Sequence, residues 1–362
     1  MKRNRVIALS LSALMMVSLT ACGSGSSDQT SEAETKAASE AVTAGDNAAT
    51  VDLGGQEPVT LKLSSTVAVG APGDLAAVDF KNMVEERTGG VVTIDHYPAG
   101  QLGSSDEISE QLLMGTIDLN WQTLEWYMTF QKDWNVLGLG FSVSSEEHLK
   151  KFLESDKETE IEQKLLEEDG IRMLSIGGIS RPRVLVSTEP VNSAADLAEV
   201  NMRVPSLTLY TKTWQAVGVN CITLETGEVY MAFKDGMISA TEFPLGSIYS
   251  SAYHEVAKYI TYTNHLYSIY CMAMNENNFQ SKLTPETQAI LIQCAEEVCL
   301  AYMDYDKKAV DEGVKAMKEA GVTINETPDV DSFKEKMKNV ATKCEAEGLW
   351  SEGLYDYLQG LQ

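Results

Sequence analysis

The chain has 362 residues, 44% of them apolar, with 53 Asp and Glu set against 28 Lys and Arg for a formal net charge of −25. So acidic a surface repels nucleic acid and anionic headgroups, and neither is expected as a partner. It repels small anions too, so a site for one needs cations placed on purpose.

The N-terminus reads as an export signal over residues 1–21. Lys2, Arg3 and Arg5 form a charged start, residues 6–19 an apolar stretch too short to span a bilayer, and Leu19-Thr20-Ala21-Cys22 a small-residue cleavage site. That tetrad looks like a bacterial lipobox, which makes Cys22 the expected lipidated first residue and lipid the expected membrane anchor. Residues 22–56 are rich in Ser, Ala, Thr, Gly and Glu with almost no large apolar side chain, and are expected to be a flexible tether. The five other cysteines (Cys221, Cys271, Cys294, Cys299, Cys344) are an odd number without a CxxC pair, so they read as buried thiols rather than as a zinc site or a disulfide framework.

Beyond the tether, strand and helix signals alternate. Residues 59–64 alternate as a strand, and Ala76, Ala77, Phe80, Met83 and Val84 repeat at helical spacing before Gly89-Gly90. A strand over 91–97 leads to a helix capped by Ser105 and closed by Gly115, then to a third strand over 117–123. This is the rhythm of a parallel sheet covered by helices. One helix is expected over 146–168 and a strand over 172–176. A second α/β unit follows, with a helix start at Ser193, a strand at 202–204, helices over 206–217 and 227–233, and a strand over 237–242. Thr284-Pro285-Glu286 then opens a helical pattern with no breaker until Gly313 and no stop until Gly321, on the order of 35 residues and ~50 Å. A helix of that length crosses from one lobe to the other; two helices bent at Gly313 are the alternative. The fold class expected is therefore α/β, with lobe I from residues 57–180 and 269–308 and lobe II from 181–268 and 309–362.

Two arginines stand where a cleft would form. Arg203 sits in Asn201-Met202-Arg203-Val204-Pro205, where the proline ends the strand and leaves its tip at a domain edge, and Arg183 lies twenty positions upstream with Arg181 as a competitor for the same cleft. An arginine fork grips a carboxylate with two parallel charge-assisted hydrogen bonds. Trp121, Gln122 and Thr123 end the third strand, with Trp126 or Tyr127 as a possible apolar wall; Thr66 and Ser206 are further polar candidates.

An ordered set of segments carries a resemblance. These are Tyr97-Pro98-Ala99-Gly100-Gln101-Leu102-Gly103, Gly115-Thr116-Ile117-Asp118-Leu119, Arg203-Val204-Pro205, Gly227-Glu228-Val229-Tyr230-Met231-Ala232-Phe233, Glu242-Phe243-Pro244-Leu245 and Thr263-Asn264-His265. Together they resemble the DctP-like substrate-binding proteins of tripartite ATP-independent periplasmic (TRAP) transporters. The resemblance implies a two-lobe periplasmic-binding-protein (Venus flytrap) fold with a long connecting helix and a ligand carboxylate held by Arg203 with help from Arg183. It also implies delivery to a permease of one large and one small membrane subunit, driven by an ion gradient. Where that family usually reads Asp-Gly-Gln-Glu-Asn-Pro this chain has Ser239-Ala240-Thr241-Glu242-Phe243-Pro244. An amide that often touches ligand is thus replaced by Phe243, which points to a more apolar or aromatic acid.

Catalytic signals are sparse. There is no HExxH, GxSxG or P-loop, the four histidines are scattered, and Glu225, Glu228 and Glu242 are the only carboxylates that suggest a hydrolytic pair. No enzyme activity, cofactor or metal is expected, and the chain is expected to act as a monomer. A receptor for an ABC importer and a lipid-anchored hydrolase are the rival readings.

Overall fold

The structure, a computed structural model, describes residues 52–362; the signal segment, Cys22 and the tether up to residue 51 lie outside the described residues. The folded body starts earlier than expected. Thr284 Oγ1 donates to Leu53 O at 2.7 Å, while Gln56 accepts from Thr284 N at 2.9 Å and donates to Lys282 O at 2.9 Å. Residues 53–56 are thereby fastened beside the start of the long helix, which the polar composition alone does not reveal.

Eleven strands form two sheets among the described residues: β1 (Val59–Ser64), β2 (Val92–Tyr97), β3 (Leu119–Thr123), β4 (Ile171–Ile179), β5 (Arg183–Ser187), β6 (Asn201–Val204), β7 (Asn220–Thr223), β8 (Ala240–Pro244), β9 (Tyr259–Thr261), β10 (Ile269–Asn275) and β11 (Thr323–Asn325). The first sheet has the order β2-β1-β3-β10-β4 and the second β11-β9-β5-β8-β6-β7. Parallel pairing joins β1 to β2 and to β3, as the alternating signals predict. The sheets are nonetheless mixed, because β10 lies antiparallel between β3 and β4 and β5 antiparallel between β8 and β9. Both return strands are almost wholly buried and show no period-two contrast, so their sequence carries no strand signature.

The chain passes between the sheets from β4 to β5 and again from β9 to β10. The two passages are laced together: Ser180 N donates to Ser268 O at 2.9 Å and Arg183 N to Leu266 O at 2.7 Å. A third link is the helix Pro285–Glu319, 35 residues without a break and capped by Thr284, whose side chain accepts from Thr287 N. Its first half, with Leu291, Cys294, Ala295, Val298 and Tyr302, packs with Leu61, Phe80 and Trp121 of the first lobe, whereas Met317 packs with Val184, Val186 and Ile260 of the second. Gly313 does not bend it. A Cβ there would stand 3.1 Å from Tyr249 Cβ, so the glycine lets the helix lie close to the helix Leu245–Ser250.

Three local expectations change. The helix over 146–168 is two helices, Glu146–Leu153 and Asp156–Asp169, because Ser155 caps the second by accepting from Glu158 N. The cap before Ser105–Leu113 is Ser104, which forms a capping box with Glu107. The C-terminal segment expected in lobe II instead closes on lobe I. His148 Nε2 lies 2.7 Å from Leu358 O, Asp133 accepts from Ser351 N at 2.7 Å, and Trp350, Leu354 and Leu358 join the core around Trp134 and Phe152. Apolar pattern alone does not say which of two cores a terminal helix will join.

Candidate functional site

A cavity of about 400 Å³ opens between the lobes. It lies past the C-terminal ends of β1, β3 and β6, where open α/β sheets hold their ligands. Thr66, Gln122, Thr123, Arg183, Arg203 and Phe243 line it.

Arg203 comes to the wall because β6 sits inside its sheet between β7 and β8 and ends at Pro205. Its side chain is 3% exposed. Nε donates to Leu224 O at 2.8 Å, one Nη lies 3.5 Å from Thr226 Oγ1, and the guanidinium stands 5.3 Å over the Phe243 ring. Among the described residues no carboxylate pairs with it. Burial lowers its pKa, the direction that marks a desolvated cation short of negative charge.

Arg183 shares the wall but is already committed. Its fork closes on Glu242, with Nε bonded to Oε2 and an Nη 2.8 Å from Oε1, while the other Nη donates to Ser268 Oγ at 2.8 Å. Glu242 is fully buried, and burial alone would raise its pKa; the Arg183 charge and bonds, with His265 Nε2 at 3.1 Å, outweigh that and hold it at about 2. The same carboxylate keeps Arg183 charged despite burial. Arg183 thus stands on the cavity wall with its two-point fork occupied by Glu242. Glu242 is also unavailable to any hydrolytic pair, and Glu225 and Glu228 form a capping box on a short 3₁₀ turn. Arg181 turns away at a bend, its side chain half-exposed and 3.8 Å from Glu146.

Two expected residues lie elsewhere. Trp121 is 0% exposed, donates through Nε1 to Gly73 O at 2.8 Å and packs edge-on to Tyr302. The helices Pro72–Arg87 and Pro285–Glu319 cover that face of β3, so only Thr123, at the strand's tip, reaches the cavity from it. Ser206 is exposed, and Leu207 lines the cavity in its place.

The sequence reading missed Tyr210, Tyr230, Tyr253, Tyr270 and Ser268, all on the cavity wall; Trp126 is there, while Tyr127 is core. The one available signal was Tyr210 beside Leu209 on the buried face of a helix, since a hydroxyl placed among apolar positions needs a partner. That partner is Glu125, whose Oε1 accepts from Tyr210 at 2.9 Å and whose carboxyl burial pushes up.

Comparison with known proteins agrees with this geometry. The sequence profile of "Bacterial extracellular solute-binding protein, family 7" matches residues 63–347. The 2,3-diketo-L-gulonate-binding periplasmic protein of Escherichia coli is 27% identical over 269 residues, 73% of this chain and 80% of that protein. A TRAP periplasmic solute-binding protein of Chromohalobacter salexigens, solved with bound D-glucuronate, superposes with a TM-score of 0.78 at 25% identity over 83% of this chain and 100% of its own. One from Sulfitobacter sp. NAS-14.1 with bound β-D-galacturonate gives 0.77 at 25% identity over 84% and 99%. A two-lobe fold of the same shape, the profile match and the relatives converge, and the chain belongs to family 7 of the bacterial extracellular solute-binding proteins, the solute receptors of TRAP transporters.

Proposed function

We propose that this receptor captures one small organic acid at a time by its carboxylate, with Arg203 as the grip. The observation that carries the reading is a buried arginine on the cavity wall without a carboxylate partner among the described residues. A ligand carboxylate would restore the missing charge, and closing the lobes over it would strengthen the bond by excluding water. The relatives solved with glucuronate and galacturonate carry ligands with the same group, which supports the reading.

The receptor then releases its ligand, chemically unchanged, to the large and small membrane subunits of the permease. A thermal-shift screen of organic acids should find stabilising ligands, and mass spectrometry after incubation should recover them intact at one per chain. Conversion of the acid to a product would overturn the receptor-only reading. The ABC-importer alternative gives way to the family assignment.

The protein works outside the cytoplasm, and we infer that it stays there as a monomer held by lipid on Cys22. No helix among the described residues is long and apolar enough to cross a membrane. Cys22→Ala should shift the protein from the membrane to the soluble fraction or block its processing; unchanged retention with unchanged mass would remove the anchor from the account.

A further inference from the structure

We infer that the acid this receptor takes has a flat aromatic body with a single polar group at its far end, rather than the polyol body of a sugar acid. The inference rests on the carboxylate reading above and specifies what the carboxylate is attached to.

Six aromatic rings line the cavity: Trp126, Tyr210, Tyr230, Phe243, Tyr253 and Tyr270. Three of the four tyrosines spend their hydroxyl protons on the protein. Tyr210 donates to Glu125 Oε1 at 2.9 Å, Tyr230 to Glu255 Oε2 at 2.9 Å, and Tyr253 to Thr226 O at 3.3 Å. What these side chains leave for a ligand is chiefly ring surface. Phe243 adds a ring with the Arg183 and Arg203 guanidinium groups 5.6 and 5.3 Å from its centre, so the carboxylate end of the site is framed by an aromatic plane.

A sugar acid buried among these rings would bring several hydroxyls out of water, each costing free energy unless a protein group replaces the lost water. Of the hydroxyl residues on the wall, Thr226 and Ser250 are exposed, Ser247, Ser251, Thr66 and Thr123 are half-buried, and buried Ser268 already accepts from Arg183. Gln122 lies deeper than the threonines. Its side chain is 2% exposed, it lines the cavity, and neither amide atom has a partner among the described residues. A buried amide left unpaired is costly, and a hydroxyl on the ligand would give one of its two polar atoms a partner. Aromatic faces stack on a planar ring at offset or edge-on geometry, and such pairs gain beyond the area they bury.

The test is calorimetric titration of the purified full chain with phenylacetate, 4-hydroxyphenylacetate, cyclohexylacetate and D-glucuronate. The expected order places 4-hydroxyphenylacetate first, about tenfold tighter than phenylacetate, with cyclohexylacetate and glucuronate weaker than both. In Gln122→Leu the ratio between the hydroxylated and plain aromatic acids should collapse toward one. Glucuronate binding as well as or better than the aromatic acids, and weakened by Arg203→Lys, would overturn the aromatic assignment while leaving the carboxylate grip standing. Binding that ignores Arg203, or no binding by any of the four, would remove both.

Discussion

Arg203→Lys should weaken every acid the receptor accepts by at least tenfold, about 1.4 kcal/mol or more. Lysine keeps the positive charge but cannot reproduce a planar fork that donates to Leu224 O while presenting a second edge to the ligand. It also loses the flat face that lies over Phe243. Because Arg203 has no acid to hold within the described protein, its replacement should change the unliganded melting temperature little. Calorimetric titration of the wild-type and variant proteins against the acids found by screening checks both halves, and native affinity in the variant would place the grip elsewhere.

Glu242→Gln should act the other way, on the fold before the ligand. The substitution leaves the Arg183 guanidinium buried without its counter-charge, and breaking a buried pair from one side costs about 3–5 kcal/mol. The pH dependence supplies a signature that simple loss of packing would not. Glu242 is held near 2 against an ordinary 4.5, so its contribution is fully present above about pH 4.5 and disappears as the pH falls toward 2. The difference in melting temperature between wild type and Glu242→Gln should therefore be large at neutral pH and shrink across that acid window. A difference that stays constant with pH would mean that the Glu242 charge is not what stabilises this corner. Arg183→Lys belongs with this pair: its main expected loss is stability, since its fork serves Glu242 rather than the ligand.

What the sequence revealed and what it hid follow one physical division. Local chemistry was legible. Pro285 behind Thr284 announced the long helix, Gly218 closed its helix in the left-handed conformation, and Arg203 before Pro205 marked a strand tip. Partnerships between distant residues were not. Arg183 was read as a ligand group because nothing in its neighbourhood shows that Glu242, 59 positions away, arrives on the adjacent strand to fill its fork. Trp121 was assigned to the cleft because it lies at the end of a strand, a position that does not say which helices will cover the side chain. Tyr230 and Tyr253 were invisible for the same reason, since the acceptors that turn their hydroxyls aside lie 25 and 27 positions away in the chain.

The long helix has one more implication, for how the molecule comes apart. Its early turns complete the core under β1 and β3, and Met317 completes the core beside β5 and β9, so neither lobe owns a full hydrophobic interior without it. Melting one lobe would strip half of the helix of its packing and leave the remainder to fray, since an isolated helix draws little stability from its own backbone. Add the doubled crossing at Ser180 and Ser268, and the two lobes should unfold as one cooperative unit.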